Sequence, residues 1–213
     1  MEKTLHKDLY IKDEWFQKES SKIFQNEWFC VARNEDFEVP GDFKLLNIAG
    51  ESIFLLLGED KQIRSFFNLC KHRGCQLLDE TDESQSKGNF KKFIRCPYHS
   101  WTYNLDGSLR KAPHLDLNTN NNEYHLNQIM TQSWGGFLFI KMKNNERSLA
   151  DQVNDFENQF HRYGLENLKT GSTYSYIIDA NWKVILENYN ECYHCAGVHP
   201  ELCKIVTEFT KKE

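Results

Sequence analysis

Two short segments of the sequence each pair a cysteine with a histidine at close spacing. One residue separates Cys70 from His72, and two residues separate Cys96 from His99. Each pair follows an apolar run that predicts a β-strand, which would hold the loop rigidly. A two-iron, two-sulfide cluster needs this ligand set when one iron takes two Cys and the other takes two His. The two loops therefore predict an electron-carrying cluster.

Two other uses of these four side chains remain open. Buried Cys and His can simply fill a β core, and a single pair of this kind would favour that interpretation. A structural zinc ion, bound tetrahedrally by two Cys and two His, needs the same ligands. The residue types alone do not separate the cluster from zinc, so the flanking residues must decide.

A carboxylate and two histidines lie further along the chain, in a segment with a helical pattern. His194 and His199 are five residues apart, and an unbroken helix would turn the second side chain away from the first. Gly197 and Pro200 interrupt the helix, so His199 can turn back toward His194. Glu191 is expected on the same face as His194. Two His and a carboxylate with open positions can form an Fe(II) site, although isolated surface residues would have the same pattern.

The apolar pattern predicts the elements that must position these side chains. A short amphipathic helix is expected from Asp13 to about residue 26, and residues 29–68 alternate strand-like runs with turn signals. Polar stretches at residues 79–89 and 118–122 are predicted to be surface loops. Residues 134–141 predict a final strand.

A second region is expected to begin at Ser148, which suits the N-cap of another helix. Residues 172–179 are strand-like, and the broken helix follows them. We therefore predict the α+β class, with an antiparallel β domain followed by the start of an α+β domain. The predicted boundaries are 1–40 for an N-terminal helix and lead-in strand, 41–147 for the β domain and 148–213 for the incomplete second domain.

Composition limits the partners and the compartment. The 213 residues carry 26 Lys and Arg against 31 Asp and Glu, a net charge of −5, without the basic stretches of a nucleic-acid binder. The N-terminus alternates charged and apolar residues, so we expect neither a signal peptide nor a spanning helix. Seven cysteines, an odd number, suit metal ligands and packed thiols better than a disulfide framework. We expect no nucleic acid, no membrane and a cytoplasmic location.

The residues that flank the first four candidate ligands resemble a known family. NLCKHRGCQL and FIRCPYHSWTYNLDGSLR resemble the two cluster-binding loops of Rieske-type iron–sulfur domains, in their oxygenase branch. Respiratory Rieske proteins have one more Cys in each loop, joined as a disulfide; here Cys75 matches the first position, but Tyr98 stands at the second. The resemblance implies an antiparallel Rieske [2Fe-2S] domain whose cluster is bound by Cys70, His72, Cys96 and His99.

The segment around the two later histidines is similar to the α subunits of Rieske non-haem iron oxygenases, the ring-hydroxylating family. The resemblance implies that His194 and His199 bind a mononuclear Fe(II), whereas Glu191 is not a ligand. Glu191 is implied to be catalytic, because it would link to a cluster histidine of a neighbouring subunit for electron passage. The family's third iron ligand is a carboxylate further along the chain, so it is expected beyond Glu213.

The resemblance also implies a function, that of a terminal oxygenase component. Such a component takes electrons from a reductase or ferredoxin, passes them from the cluster to Fe(II), and activates O₂ as co-substrate. NWKVILENYNECYHCAGVHPEL is more similar to oxygenases of quaternary ammonium compounds than to the naphthalene type. Hydroxylation or demethylation of a small quaternary ammonium or aromatic substrate is therefore expected, by a mono- or dioxygenase. The family implies a homotrimer, and we expect this chain to be a C-terminally truncated fragment that is inactive alone.

One alternative is a Rieske ferredoxin, an electron carrier without its own oxygenase site. In that case His194 and His199 would have no metal role. A zinc-stabilised structural module is the third interpretation, and metal and sulfide content would separate it from both iron proteins.

Overall fold

The computed structural model describes residues 4–114, 122–191 and 194–210. Its middle part consists mainly of short strands, and the α-helices occur toward both ends. The strands are β1 (Phe29–Arg33), β2 (Asp42–Ile48), β3 (Glu51–Leu57), β4 (Ile63–Phe67), β5 (Lys87–Asn89), β6 (Ile94–Arg95), β7 (Thr102–Tyr103), β8 (Leu109–Lys111), β9 (Gln128–Trp134) and β10 (Phe137–Lys141). The α-helices are α1 (Asp8–Ile11), α2 (Asp13–Glu19), α3 (Leu149–Phe160), α4 (Trp182–Asn190), α5 (Cys195–Val198) and α6 (Pro200–Ile205).

The strands form two antiparallel sheets. The larger has the order β1-β10-β9-β4-β3-β2-β5, and the smaller has the order β6-β7-β8. The β2–β3 hairpin turns at Ala49 and Gly50, which both have positive φ, as a two-residue hairpin loop requires. The predicted α+β class with an antiparallel β domain is confirmed.

The core lies on both faces of the larger sheet. The interior strand β3 is buried from Ile53 to Leu57. Phe54 and Leu56 pack into a cluster that includes residues of the smaller sheet, whereas Leu55 and Leu57 pack on the other side. Because successive side chains of a strand point to opposite faces, β3 contributes to the hydrophobic clusters on both faces of the sheet. The smaller sheet and the Cys/His loops cover the first of them.

Three local predictions differ from the structure. Residues 134–141 form the end of one strand and the whole of another, because Gly135 and Gly136 both have positive φ and make a hairpin turn. The short strand β5 lies within the stretch predicted to be a polar loop. Residues 173–178 form no strand, and Ile177 is completely exposed.

The chain folds into two compact units. Residues 19–171 form one unit, which holds both sheets and α3; residues 1–18 and 172–213 form the other. Helix α3 belongs to the first unit because Leu149 and Val153 pack with Trp28. The boundaries proposed from the sequence concern family domains rather than compact units, and they stay predictions.

In the second unit, the N-terminal helix is tied to α4 by polar contacts. The Tyr10 hydroxyl donates to Glu187 Oε1 at 2.7 Å, and Asn181 Nδ2 donates to the Tyr10 carbonyl at 3.0 Å. Asn181 also caps α4, since its side chain accepts the Lys183 N–H at 3.1 Å. These bonds fix the start of the helix that leads to Glu191 and His194.

Candidate iron–sulfur and iron sites

The two Cys/His loops share one backbone pattern, although their ligand spacings differ. In both loops the cysteine N–H donates to the carbonyl five residues later, at 2.8 Å from Cys70 and at 2.8 Å from Cys96. The residue four positions after each cysteine donates back to the cysteine carbonyl, at 2.9 Å from Gly74 and 3.1 Å from Ser100. Both residues are left-handed, with φ of +65° and +61°. Each loop thus closes on its cysteine in the same way.

Ser100 adopts this conformation without being a glycine. A left-handed residue with a Cβ costs about 1–2 kcal/mol. Two hydrogen bonds offset part of that cost: Arg95 Nη2 donates to Ser100 Oγ at 2.8 Å, and Thr102 Oγ1 donates to the Ser100 carbonyl at 3.1 Å. The surrounding strands therefore hold the second loop in a strained but fixed shape.

The four candidate ligands sort by burial into two pairs. Cys70 and Cys96 are each only 2% exposed, whereas His99 is exposed and His72 is half-buried. The rings of His72 and His99 lie with centroids 4.8 Å apart, and His72 stacks on Trp101 at 4.9 Å. The structure thus brings all four predicted residues into one region, with thiols inside and imidazoles outside.

Burial shifts the pKa of two of the candidate ligands, Cys70 and His72. Burial raises the pKa of the Cys70 thiol, and the neighbouring Cys96 thiol adds to the rise. Burial also lowers the pKa of His72, and the nearby His99 and Arg73 lower it further. A lowered pKa favours the neutral imidazole, the form that can bind a metal, while iron must displace the thiol proton of Cys70. Both cysteines are free thiols.

The four candidate ligands form a buried thiol pair and an outer imidazole pair. Tetrahedral zinc would need all four ligands around one centre. A two-iron cluster asks for only two protein ligands on each iron, with two Cys on one and two His on the other. The buried thiol pair and the outer imidazole pair fit the cluster.

A buried asparagine positions the first loop. Asn68 is fully buried, and its Nδ2 donates to Ser52 Oγ at 3.0 Å and to the Leu78 carbonyl at 2.7 Å. Its Oδ1 accepts the N–H groups of Leu77 and Leu78 at 3.1 and 3.0 Å. The side chain therefore clamps both ends of the loop that contains Cys70. Sequence reasoning missed Asn68, because a lone polar residue after a strand has no distinctive pattern.

A buried hydroxyl group contacts the sulfur of a candidate ligand. Tyr103 is fully buried, and its Oη lies 3.1 Å from Cys70 Sγ and accepts the Lys71 N–H at 3.1 Å. Because the Lys71 amide occupies an acceptor position, the hydroxyl proton can point at the sulfur. Burial and the neighbouring Cys70 raise the pKa of Tyr103 well above its ordinary value, so the phenol keeps this proton.

A cavity of about 530 Å³ opens beside the two histidines. Its residues combine imidazole, aromatic and cationic groups, and they are Lys71, His72, His99, Trp101, Pro113, His114 and Tyr124. The edge of the candidate cluster site that carries the imidazoles is thus accessible, while the edge that carries the thiols is closed.

The second candidate site lies on a helix broken in two places. Helix α4 ends at Asn190, and Glu191 is extended with φ −103° and ψ 129°. Glu191 therefore does not share a helical face with His194, contrary to our expectation. The break predicted between Gly197 and Pro200 is present: α5 includes Gly197 and ends at Val198, His199 is not helical, and Pro200 begins α6.

One turn of helix separates the two histidines. His194 immediately precedes α5 and His199 immediately follows it, with φ −126° and ψ 58° before Pro200 opens α6. The His199 N–H donates to the Cys195 carbonyl at 2.8 Å, which closes the turn. As a result, the ring centroids of His194 and His199 lie 5.4 Å apart. The spacing of five residues is thus brought into metal-binding range.

The donor set at this site is incomplete within the described residues. His194 Nδ1 is buried and has no hydrogen-bond partner among the described residues, and Glu191 Oε1 lies 3.9 Å from it. No third Cys, His, Asp or Glu side chain completes a metal site among the described residues. Two imidazoles with a nearby carboxylate fit part of the ligand set of a mononuclear iron, and a third ligand must come from elsewhere.

Two protein families match this chain. Residues 27–124 match the Rieske [2Fe-2S] domain, and residues 165–212 match the catalytic domain of the ring-hydroxylating alpha subunit. The chain contains a Rieske [2Fe-2S] domain and part of a ring-hydroxylating α-subunit catalytic domain. This assignment confirms the predicted family and fold class, and it implies a Rieske cluster and a mononuclear iron that uses O₂. The catalytic-domain match favours a Rieske oxygenase α subunit over a Rieske ferredoxin.

Relatives of this chain include oxygenase subunits that act on quaternary ammonium compounds. The chain is 35% identical over 202 residues to the carnitine monooxygenase oxygenase subunit of Acinetobacter baumannii, covering 92% of this chain and 53% of that protein. It is 33% identical over 207 residues to the glycine betaine monooxygenase oxygenase subunit of Pseudomonas aeruginosa, covering 97% and 47%. The chain thus spans about half the length of the curated relatives it matches.

Solved Rieske oxygenases have the same fold. A quaternary ammonium Rieske monooxygenase in complex with L-carnitine superposes with a TM-score of 0.81 at 33% identity, covering 92% of this chain and 55% of that one. A naphthalene 1,2-dioxygenase superposes with a TM-score of 0.75 at 26% identity, covering 89% and 43%. Over the described ranges, the Rieske oxygenase chain has no helix with the length and hydrophobicity to cross a bilayer.

We predict that the Tyr103 hydroxyl raises the reduction potential of the Rieske centre. Tyr103→Phe removes a donor to Cys70 Sγ, so the negative charge of the reduced cluster loses one stabilising hydrogen bond. Losing a hydrogen bond worth about 1 kcal/mol should lower the midpoint potential of the one-electron couple by about 40 mV. The midpoint potential is measured by redox titration of the cluster spectrum.

Tyr124→Phe is the matched control for this prediction. Tyr124 contacts Trp101 through its ring at 5.6 Å, and removing its hydroxyl leaves Cys70 untouched. The control is expected to keep the wild-type potential. An unchanged potential in Tyr103→Phe would contradict a role for this hydroxyl in tuning the cluster.

Proposed function

We propose that this chain is part of the terminal oxygenase component of a quaternary-ammonium monooxygenase. The observation that carries the proposal is the pairing of a two-Cys, two-His site with a segment of the ring-hydroxylating catalytic domain. When bound, the cluster and the mononuclear iron supply one-electron transfer and O₂ activation. The substrate would be a small quaternary ammonium compound that is hydroxylated or demethylated.

In this proposal, two elements of the first unit hold the cluster. Cys70 and Cys96 bind one iron from the buried side, where Asn68 and the closed loops keep the thiols in place. His72 and His99 bind the other iron from the exposed side. Stacking on Trp101 fixes the ring plane of His72. The imidazoles thus form the edge through which electrons enter and leave.

His194 and His199 are proposed to bind the mononuclear iron. Their ring separation of 5.4 Å and the buried, unpartnered Nδ1 of His194 support this role. A carboxylate outside the described residues would complete the triad. The 9-residue helix α4, which Asn181 caps, precedes these histidines in the chain.

Glu191 is proposed to link the two metal sites of neighbouring subunits. Its side chain is 55% exposed, and one carboxylate oxygen lies 3.9 Å from His194 Nδ1. The carboxylate can therefore orient the His194 ring and still accept an N–H from a cluster histidine of another subunit. This role requires an assembly, and we propose the homotrimer that the family implies.

A redox partner and a cytoplasmic location complete the proposal. The oxygenase would receive electrons from a separate reductase, directly or through a ferredoxin. The free thiols at Cys70, Cys75 and Cys96 suit a reducing compartment, where disulfides are rare.

Metal analysis of anaerobically purified protein tests the proposed function. We expect iron and acid-labile sulfide in equal amounts from the cluster, and a Rieske-type EPR signal with a low average g value after reduction. A chain extended over the whole catalytic domain should bind additional iron and oxidise L-carnitine or glycine betaine with a suitable reductase. Zinc in place of iron, or a colourless protein, would contradict the cluster assignment.

A further inference from the structure

Positive charge is concentrated around the candidate cluster site. Residues 69–75 and 90–114 contain seven Lys or Arg and one Asp, a net charge of +6 in a chain whose net charge is −5. The basic residues are Lys71, Arg73, Lys91, Lys92, Arg95, Arg110 and Lys111. All of them except Lys71 are exposed. In a chain of net charge −5, the two cluster-binding loops and the strands next to them are thus basic segments.

The smaller sheet arranges part of this charge on one face. Arg95 pairs with Thr102 across β6 and β7, and Thr102 pairs with Lys111 across β7 and β8. Residues paired across neighbouring strands point to the same side of a sheet. Ile94 and Tyr103, the other pair, are buried. Arg95 and Lys111 therefore stand on the outer face, which we call the basic face.

The basic face adjoins the exposed edge of the cluster site. Arg95 Nη2 donates to the hydroxyl group of Ser100, the residue that follows His99. Apolar surface is present as well, because Phe93 is 40% exposed beneath Arg110, and Tyr98 is 62% exposed beside His99. Neither Arg95 nor Lys111 lines the cavity at the histidines.

The single acidic residue of these segments does not neutralise the basic face. Asp106 lies in the turn between β7 and β8, where its carboxylate accepts from the Ser108 N–H and hydroxyl at 2.9 and 2.6 Å. Burial alone would raise the pKa of Asp106. Hydrogen bonds from Ser108 and the nearby positive charge of Arg64 outweigh burial and lower this pKa. The Asp106 carboxylate is thus hydrogen-bonded within the hairpin turn.

We propose that the basic face docks an acidic one-electron donor protein, such as a small iron–sulfur or flavin protein. The proposal rests on the proposed function, because it requires the cluster. One electron leaves the donor and enters the cluster through the exposed imidazole edge, since both thiols are buried. Lys and Arg steer the encounter over long distances, and the exposed Phe93 and Tyr98 supply the small apolar contact of a transient redox complex.

Stopped-flow reduction of the cluster-loaded 213-residue chain tests this surface. The probe is a reduced plant-type [2Fe–2S] ferredoxin, an acidic protein whose potential of about −400 mV lies below that of Rieske centres. The second-order rate constant should fall at least about tenfold between low and high salt. Arg95→Glu with Lys111→Glu should lower the low-salt rate constant by a similar factor and approach wild type at high salt.

A cationic reductant provides a test of sign. With the methyl viologen radical cation, repulsion by the basic face should make the rate constant rise with salt, and the double charge reversal should increase it at low salt. A change in the cluster potential alone would change the rate constants for both reductants in the same direction. Opposite shifts for ferredoxin and viologen are therefore the expected result.

Lys61→Glu with Lys143→Glu is the matched control, since both lysines are exposed on the same unit and the change in net charge is equal. The control should keep the wild-type rate constants.

Equal ferredoxin rates in wild type and Arg95→Glu/Lys111→Glu would overturn the docking surface while leaving the cluster assignment intact. Loss of an oligomer in that variant, with unchanged ferredoxin rates, would assign the face to contacts between copies. Absence of the cluster spectrum from wild type would refute the proposed function and this inference together.

Discussion

His199→Ala is expected to abolish binding of the mononuclear iron and to lower turnover more than about 100-fold, in a chain extended over the whole catalytic domain. Outer-shell changes alone cost about 10–100-fold, so loss of a ligand should cost more. The position matters because the helix break holds the His199 ring 5.4 Å from the His194 ring. Iron content per chain and product formation from L-carnitine measure the effect, and His194→Ala should behave in the same way.

The cluster should be unaffected by this change. Its candidate ligands lie in the other compact unit, so the Rieske EPR signal of His199→Ala should match wild type. His161→Ala is the matched control, because His161 is exposed and lies in neither site. Normal iron content and turnover in His199→Ala would remove His199 from the metal site.

Glu191→Gln should keep both metals and lose turnover by about 100-fold. The substitution keeps the shape of the side chain but removes its charge, so it can no longer stabilise a partner imidazolium or orient two imidazole N–H groups as strongly. The direct measurement is the rate at which the reduced cluster is reoxidised after substrate and O₂ are added. That rate should fall with turnover, whereas iron content should stay at the wild-type value.

Glu201→Gln controls for the loss of one carboxylate. Glu201 is exposed in the first turn of α6 and makes the same change in charge near His199. It should retain cluster reoxidation and turnover. Wild-type reoxidation in Glu191→Gln would show that electrons pass between the metal sites without this carboxylate.

The chemistry of the site is more predictable from the sequence than its shape. Residue type and spacing identify Cys70, His72, Cys96 and His99 as candidate ligands, and the structure brings the four together. The shared closure of the two loops is not visible in the sequence. It depends on left-handed φ values at Gly74 and at Ser100, and serine does not signal such a conformation.

Strand prediction failed where backbone geometry overrides composition. The pair Gly135 and Gly136 lies inside an apolar run, but its positive φ values reverse the chain and create a hairpin. Strand β9 was not predicted, because its residues Gln128–Trp134 mix polar and apolar types without strict alternation. Glu191 was misplaced on a helical face for a similar reason, since nothing in the sequence marks the end of α4 at Asn190.

The segment at residues 173–178 affects how the isolated chain behaves in concentrated solution. Tyr174, Tyr176 and Ile177 are 79%, 80% and 102% exposed, and the segment has no strand partner in the described part of the chain. Backbone that is unpaired and carries exposed apolar side chains is a template for pairing with another molecule. Preparations should therefore self-associate as they are concentrated, and light scattering should accompany any spectroscopy on them.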